Sequence, residues 1–214
     1  MPDDEGNLPT ECELIADDTV SVRVYDVTEA HHLAATLRAE GSWEEVVPGL
    51  GSVAVMFDPL MLDKEEALLQ VRKAIETQSG AIVQGPKTVT IPVSYGGNMG
   101  PDLEAVSSLL GLSTDDFIGL HTAHRHTVEM IGFAPGFAYI GGFGEAADVR
   151  RLERPRMRVE AGSVGVVGGR TGLYALSGPG GWPIVGRTDV RLFDPSKEEP
   201  FLLSPGDRIQ FQAV

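Results

Sequence analysis

Residues 132–142 read GFAPGFAYIGG, residues 154–182 read RPRMRVEAGSVGVVGGRTGLYALSGPGGW, and residues 184–188 read IVGRT. No helix tolerates glycine at this density, because each interior glycine costs about 1 kcal/mol against alanine. The stretch must therefore be short strands joined by tight turns. Its apolar residues alternate or pair in short runs, as at Val164, Val166, Leu173, Ala175, Ile184 and Val185. Closely spaced short strands with glycine turns point to a barrel or sandwich. Arg154, Arg156, Arg158, Arg170 and Arg187 fall among these turns, where a planar guanidinium fork suits a carboxylate or phosphate.

Outward from this stretch the chain changes character. Residues 1–105 carry 6 Lys and Arg against 19 Asp and Glu, whereas residues 106–214 carry 11 against 12, of which 10 basic residues are arginine. An acidic first half repels nucleic acid and anionic membrane, so neither is expected as a partner. The single cysteine, Cys12, excludes an intrachain disulfide and a cysteine-rich zinc site. No basic, apolar leader opens the chain and no apolar run reaches membrane length, so a cytoplasmic protein is expected.

The pattern predicts an acidic flexible tail over 1–12 and an α+β domain over 13–92. Within that domain, Val20, Val22 and Val24 alternate as a strand, and Thr28 caps a helix that runs to Gly41. A hairpin follows over 44–57, then a helix from Asp63 to Gly80, then a strand over 88–93. Strand, helix, two strands, helix, strand is the ferredoxin-like order. The barrel domain is expected over 93–214, with two short helices at its start, after Pro101 and after Ser113.

Three constellations invite chemistry. His121, His124 and His126 are clustered, but no cysteine or carboxylate lies near them in sequence, and no metal is expected. The glycines around Arg170 and Thr171 fail the phosphate-loop spacing, since residue 164 is valine and the lysine position is Arg170. Ser163 sits in AGSVG, which lacks the nucleophile-elbow spacing. Phe133 and Phe137 read as core. In an extended run Arg154, Arg156 and Arg158 share one face, and Pro155, Met157 and Val159 pack on the other.

Ten segments fall in one order: IPVSYGG (91–97), GPDL (100–103), LHT (120–122), GFAPGFAYIGG (132–142), RPR (154–156), AGSVG (161–165), TGLY (171–174), GPGGW (178–182), LFDP (192–195) and PGDRIQF (205–211). Together they resemble the 5-oxoprolinase B-subunit family, also called allophanate hydrolase subunit 1 or a carboxyltransferase subdomain. That resemblance implies an N-terminal α+β domain and a C-terminal cyclophilin-like β-barrel. It implies one subunit of an ATP-dependent amide hydrolase that opens 5-oxoproline to glutamate, acting with a second carboxyltransferase-like subunit and incomplete alone. Related roles in the family are a carboxyltransferase in urea metabolism and a histidine-kinase inhibitor. The substrate-binding residues nominated on this reading are His121, Arg156, Ser163, Arg170 and Thr171. Two positions depart from the family pattern: Arg170 stands where glutamine is frequent, and Ala138 where proline is usual.

Overall fold

The computed structural model describes residues 11–76, 87–143 and 148–214. The chain divides into two compact units, Met1–Gly85 and Pro86–Val214.

In the first unit the described elements are β1 (Cys12–Ala16), β2 (Thr19–Arg23), α1 (Val27–Glu40), β3 (Glu45–Pro48), β4 (Ser52–Met56) and α2 (Lys64–Glu76). The strands form an antiparallel sheet in the order β1-β2-β4-β3. Period-two alternation puts Val20 and Val22 on the same face as their cross-strand partners Val55 and Val53, and all four are fully buried with Leu33 and Leu37 of α1 and Val71 of α2. The cap of helix α1 lies two residues before the expected Thr28. Asp26 is its cap and accepts from the Glu29 amide at 2.8 Å, while the Glu29 carboxylate takes the Tyr25 amide at 2.7 Å. A carboxylate is the stronger acceptor for the helix's free amides, and this reciprocal pair satisfies one of them and the Tyr25 amide just before the cap. Gly41 ends α1 at φ 69°, and Asp63 caps α2 through the Glu66 amide, both at the expected places. The expected stop at Gly80 and most of the acidic tail lie outside the described residues.

One expectation fails here. The strand assigned to close a ferredoxin-like sheet is β5 (Thr88–Tyr95), and it lies in the barrel, between β13 (Arg208–Ala213) and β12 (Ile184–Arg187). The place beside β2 is taken by β1, joined to it by a two-residue turn. A tight hairpin brings its strands together with far less loop closure than a return after a second helix.

The second unit continues with α3 (Leu103–Leu109), α4 (Thr114–Ala123), β6 (His126–Ile131), β7 (Ala138–Gly141), β8 (Arg156–Val159), β9 (Ser163–Val167), β10 (Arg170–Leu173), β11 (Gly178–Gly180), β12 (Ile184–Arg187) and β13 (Arg208–Ala213). Seven strands close a barrel in the order β10-β7-β6-β13-β5-β12-β9, consistent with the cyclophilin-like expectation, and β8 and β11 form a separate ribbon. The parallel pair β5–β13 joins the unit's first strand to its last. The barrel is filled by Ile91, Val93, Val128, Ile140, Val164, Val166, Leu173, Ile209 and Phe211. A second apolar cluster of Phe137, Val159, Tyr174, Trp182 and Ile184 packs apart from that interior. The glycine run Gly168-Gly169 is the two-residue turn between β9 and β10, with φ of 57° and 74°. Left-handed values at both central positions are the hairpin geometry that glycine supplies.

Candidate functional site

The five nominated residues do not converge on one place. His121 and Thr171 meet inside the barrel, where His121 Nε2 and Thr171 Oγ1 lie 2.8 Å apart and both residues are fully buried. His121 Nδ1 lies 2.6 Å from the Tyr95 hydroxyl, and its ring stacks on Phe211 with centroids 4.4 Å apart. His126 Nε2 donates to the His121 carbonyl at 2.7 Å. The last turn of α4 is thus tied to β5, β6 and β10 through a polar hub set among aromatic rings. Burial, then the neighbouring His126 and His124, hold the His121 imidazole well below its ordinary value of 6.5, so the ring is neutral. Burial likewise pushes the Tyr95 hydroxyl up. A neutral imidazole donates from one nitrogen and accepts at the other, which matches two hydroxyl partners in either tautomer. Both side chains are shut away from solvent, and their contact ties α4 to the barrel wall at β10.

Arg170 points the other way from Thr171, as alternation along a strand requires. Its Nε donates to Glu129 Oε2 at 2.6 Å, across Gly141 of the intervening strand. A Cβ on Gly141 would lie 2.0 Å from Glu129 Oε1, so the lack of a side chain there makes room for the pair. Ser163 is buried at the start of β9, and its carbonyl accepts from the Tyr174 amide at 3.0 Å.

Arg156 is held by a part-buried carboxylate. Its Nη2 donates to Asp102 Oδ1 at 2.8 Å, and the other oxygen of the same carboxylate accepts the Ile184 amide at 2.6 Å. Asp102 is fixed in turn by its own amide, bound to the Ile184 carbonyl at 2.9 Å, and by the nearby Gly100, where a Cβ would lie 2.0 Å from the Val185 carbonyl oxygen. One carboxylate therefore holds the guanidinium and anchors β12. The second terminal nitrogen of Arg156, Nη1, is buried without a hydrogen-bond partner among the described residues. Arg151 and Arg156 both bear electrostatically on the Tyr174 hydroxyl, which lies against Gly180. Arg158, by contrast, is exposed and bound to Glu160 at 2.7 Å, a solvated surface pair of little energetic weight.

Sequence reasoning named Arg156 but missed its partner. Asp102 was legible only as an acid in the first turn of a helix, and nothing in the sequence joins it to an arginine 54 positions away. Two packing expectations are corrected. Met157 is 89% exposed, so only Val159 of the supposed apolar face is buried. Phe133, expected in the core, is 70% exposed and is the one non-glycine residue with positive φ, at 69°, among the described residues. Phe137 is buried as expected. Among the described residues, no group of three or more His, Cys, Asp or Glu is arranged to hold a metal ion.

The family profile described as carboxyltransferase domain, subdomain C and D, matches residues 11–203. The chain belongs to this family. Its sequence is 40% identical over 170 residues to the B subunit of 5-oxoprolinase from Escherichia coli O157:H7, covering 78% of this chain and 76% of that protein. It is 36% identical over 178 residues to the protein of the same name from Haemophilus influenzae, covering 83% of each. The solved structure of TTHA0988 superposes with a TM-score of 0.76 at 34% identity over 92% of this chain, which spans only 39% of that longer chain. The Kluyveromyces lactis urea amidolyase shares the fold, with a TM-score of 0.75 at 17% identity over 95% of this chain and 15% of that one. The family profile is that of a carboxyltransferase domain, and the relatives at 36–40% identity carry the name of an enzyme subunit. Among the described residues no helix is long and apolar enough to cross a membrane.

Proposed function

We propose that this family member is the B-type subunit of a cytoplasmic 5-oxoprolinase, in which water opens the lactam of 5-oxoproline to glutamate as ATP is hydrolysed to ADP and phosphate. The observation that carries this reading is the 36–40% identity to proteins named as the B subunit of 5-oxoprolinase over most of the chain. The site geometry supports it. Arg156, held from one side by Asp102, has a buried guanidinium nitrogen without a partner among the described residues, and a substrate carboxylate is the group to which such a nitrogen donates. Tyr174 and Arg151 add a hydroxyl and a second cation beside it.

In this reading Arg156 binds the carboxylate of 5-oxoproline and Asp102 positions it. The buried pair His121 and Thr171, the Ser163 turn and the Arg170–Glu129 pair keep the surrounding strands in register. The glycines around Arg170 form a hairpin turn, and ATP is used by the complex as a whole. A second carboxyltransferase-like subunit completes the active site.

The test is reconstitution. Glutamate release from 5-oxoproline is measured with this chain alone, with its partner subunits, and with Arg156→Met in place of the wild type. Activity is expected only in the complete mixture. A charge-assisted hydrogen bond is worth about 1.5–3 kcal/mol, so the variant should lose roughly tenfold to a hundredfold in kcat/KM, with its melting temperature measured beside it because Asp102 loses its cation. Full activity in Arg156→Met rejects the carboxylate role, and no activity in the complete wild-type mixture rejects the substrate.

A further inference from the structure

We propose that the groove between α3 and residues 148–152 binds a small zwitterion with an aliphatic body, of which an α-amino acid is the simplest case. The groove encloses about 440 Å³, within the range of small-ligand sites. Its floor is apolar and closed, since Val106 of α3 and Val149 opposite it are only 4% and 3% exposed. Its walls are Leu109, one helical turn beyond Ala105, and Leu152 on the facing segment. Leu109 is 60% exposed, which leaves an apolar surface that an aliphatic body would cover.

The charges at the rim define the ligand. Asp148 and Arg150 flank Val149, and both side chains are exposed. Neither has a hydrogen-bond or ion-pair partner among the described residues. Asp102, at the other end of the groove, is already committed to Arg156 and to the Ile184 amide. Among the described residues the rim therefore offers one free anion and one free cation, two residues apart. A simple anion would meet Asp148, a simple cation would meet Arg150, and an uncharged apolar molecule would use neither. A molecule carrying an ammonium and a carboxylate on one carbon satisfies both at once while its side chain lies over Val106, Leu109 and Leu152. This site adjoins the Arg156 pair at Asp102 but uses Asp148 and Arg150 rather than the free nitrogen of Arg156, and it does not depend on the 5-oxoprolinase reading.

The experiment titrates the full chain with L-leucine, followed by calorimetry and by amide chemical shifts. Isocaproate, which lacks the ammonium, and isopentylamine, which lacks the carboxylate, serve as matched probes. Saturable binding in about the millimolar range is expected, with shifts confined to α3 and residues 148–152. Each single-charge probe should bind about tenfold more weakly, as should leucine to Asp148→Asn and to Arg150→Gln. Both substitutions are at exposed positions and should leave the melting temperature unchanged. Absence of saturation, equal binding of either single-charge probe, or wild-type affinity in both variants overturns the proposal. The probe comparison decides the matter on the unaltered chain even where a variant folds poorly.

Discussion

At the scale of single residues, the buried imidazole of His121 ties stability to pH. Its folded-state value is depressed while the unfolded chain keeps the ordinary one near 6.5, so the unfolded state binds more protons below that pH. Its contribution is fully present above about pH 6.5 and is lost as the pH falls below it. His126 is shifted in the same direction by burial and adds to the effect. His121→Gln keeps a donor and an acceptor but removes one titration. Urea unfolding from about pH 7.5 down to about pH 5 should show a shallower loss in the variant than in the wild type, together with a cost of about 1–3 kcal/mol at the higher pH. Parallel pH profiles would place the titration elsewhere. Phe133 supplies a second case. A non-glycine residue held at positive φ stores on the order of 1 kcal/mol, comparable with the gain from its edge-on contact with Phe137 at 5.5 Å. Phe133→Gly therefore removes a whole ring with little change in melting temperature. If that exposed ring seats a second subunit, the affinity of reconstitution falls about tenfold. A melting temperature lowered by more than about 5 °C would instead make Phe133 a packing residue. The sequence displayed both residues within motifs. It did not display burial for the one or exposure for the other, because each depends on which strand the neighbouring loop lies against.

At the scale of elements, legibility followed locality. The C-terminal stop of α1, the cap of α2, the cap of α4 at Ser113 and the β9–β10 turn were all readable, because each is decided by residues a few positions apart. Strand β5 was readable as a strand but not as part of the barrel, because its partners β12 and β13 lie about a hundred residues away. The same holds for the aromatic cluster. Gly172 of β10 is where Phe137 and Trp182 close over the sheet, and a Cβ there would lie 2.8 Å from Phe137 Cζ and 3.0 Å from two Trp182 ring carbons. Neither ring can swing aside cheaply, since they also meet each other with centroids 6.0 Å apart. Gly172→Ala should cost about 1–3 kcal/mol through overpacking and change near-ultraviolet circular dichroism from Trp182. A neutral Gly172→Ala with an unaltered spectrum would show that the cluster is looser than this packing implies.

At the scale of the whole molecule, the two units have separate apolar cores. Every residue of the first core lies between Cys12 and Ile75, and every residue of the barrel core lies beyond Val89 or at it. The barrel's closure rests on its last strand. β13 runs parallel to β5 over six paired positions and antiparallel to β6, so it bridges the start of the unit to its middle. It also brings Ile209 and Phe211, each 1% exposed, into the interior, where Phe211 lies under the His121 ring. Deleting residues 208–214 would leave β5 and β6 with unpaired edges and open the barrel to water. The penalty for Phe211 alone is about 3–5 kcal/mol on truncation to alanine, a large share of the roughly 5–15 kcal/mol that separates a folded domain from its unfolded state. Loss of the entire strand should therefore unfold the barrel unit. Among the described residues the first core draws none from the barrel, so the first unit's own amides should keep their protection. Hydrogen exchange on the truncated chain should show protection retained in β2, β4 and α1 and lost from β5 to β12, with Phe211→Ala giving a milder form of the same pattern. Protected barrel amides after deletion would mean that β13 is dispensable, and simultaneous loss in both units would mean that the first unit depends on the second for its fold.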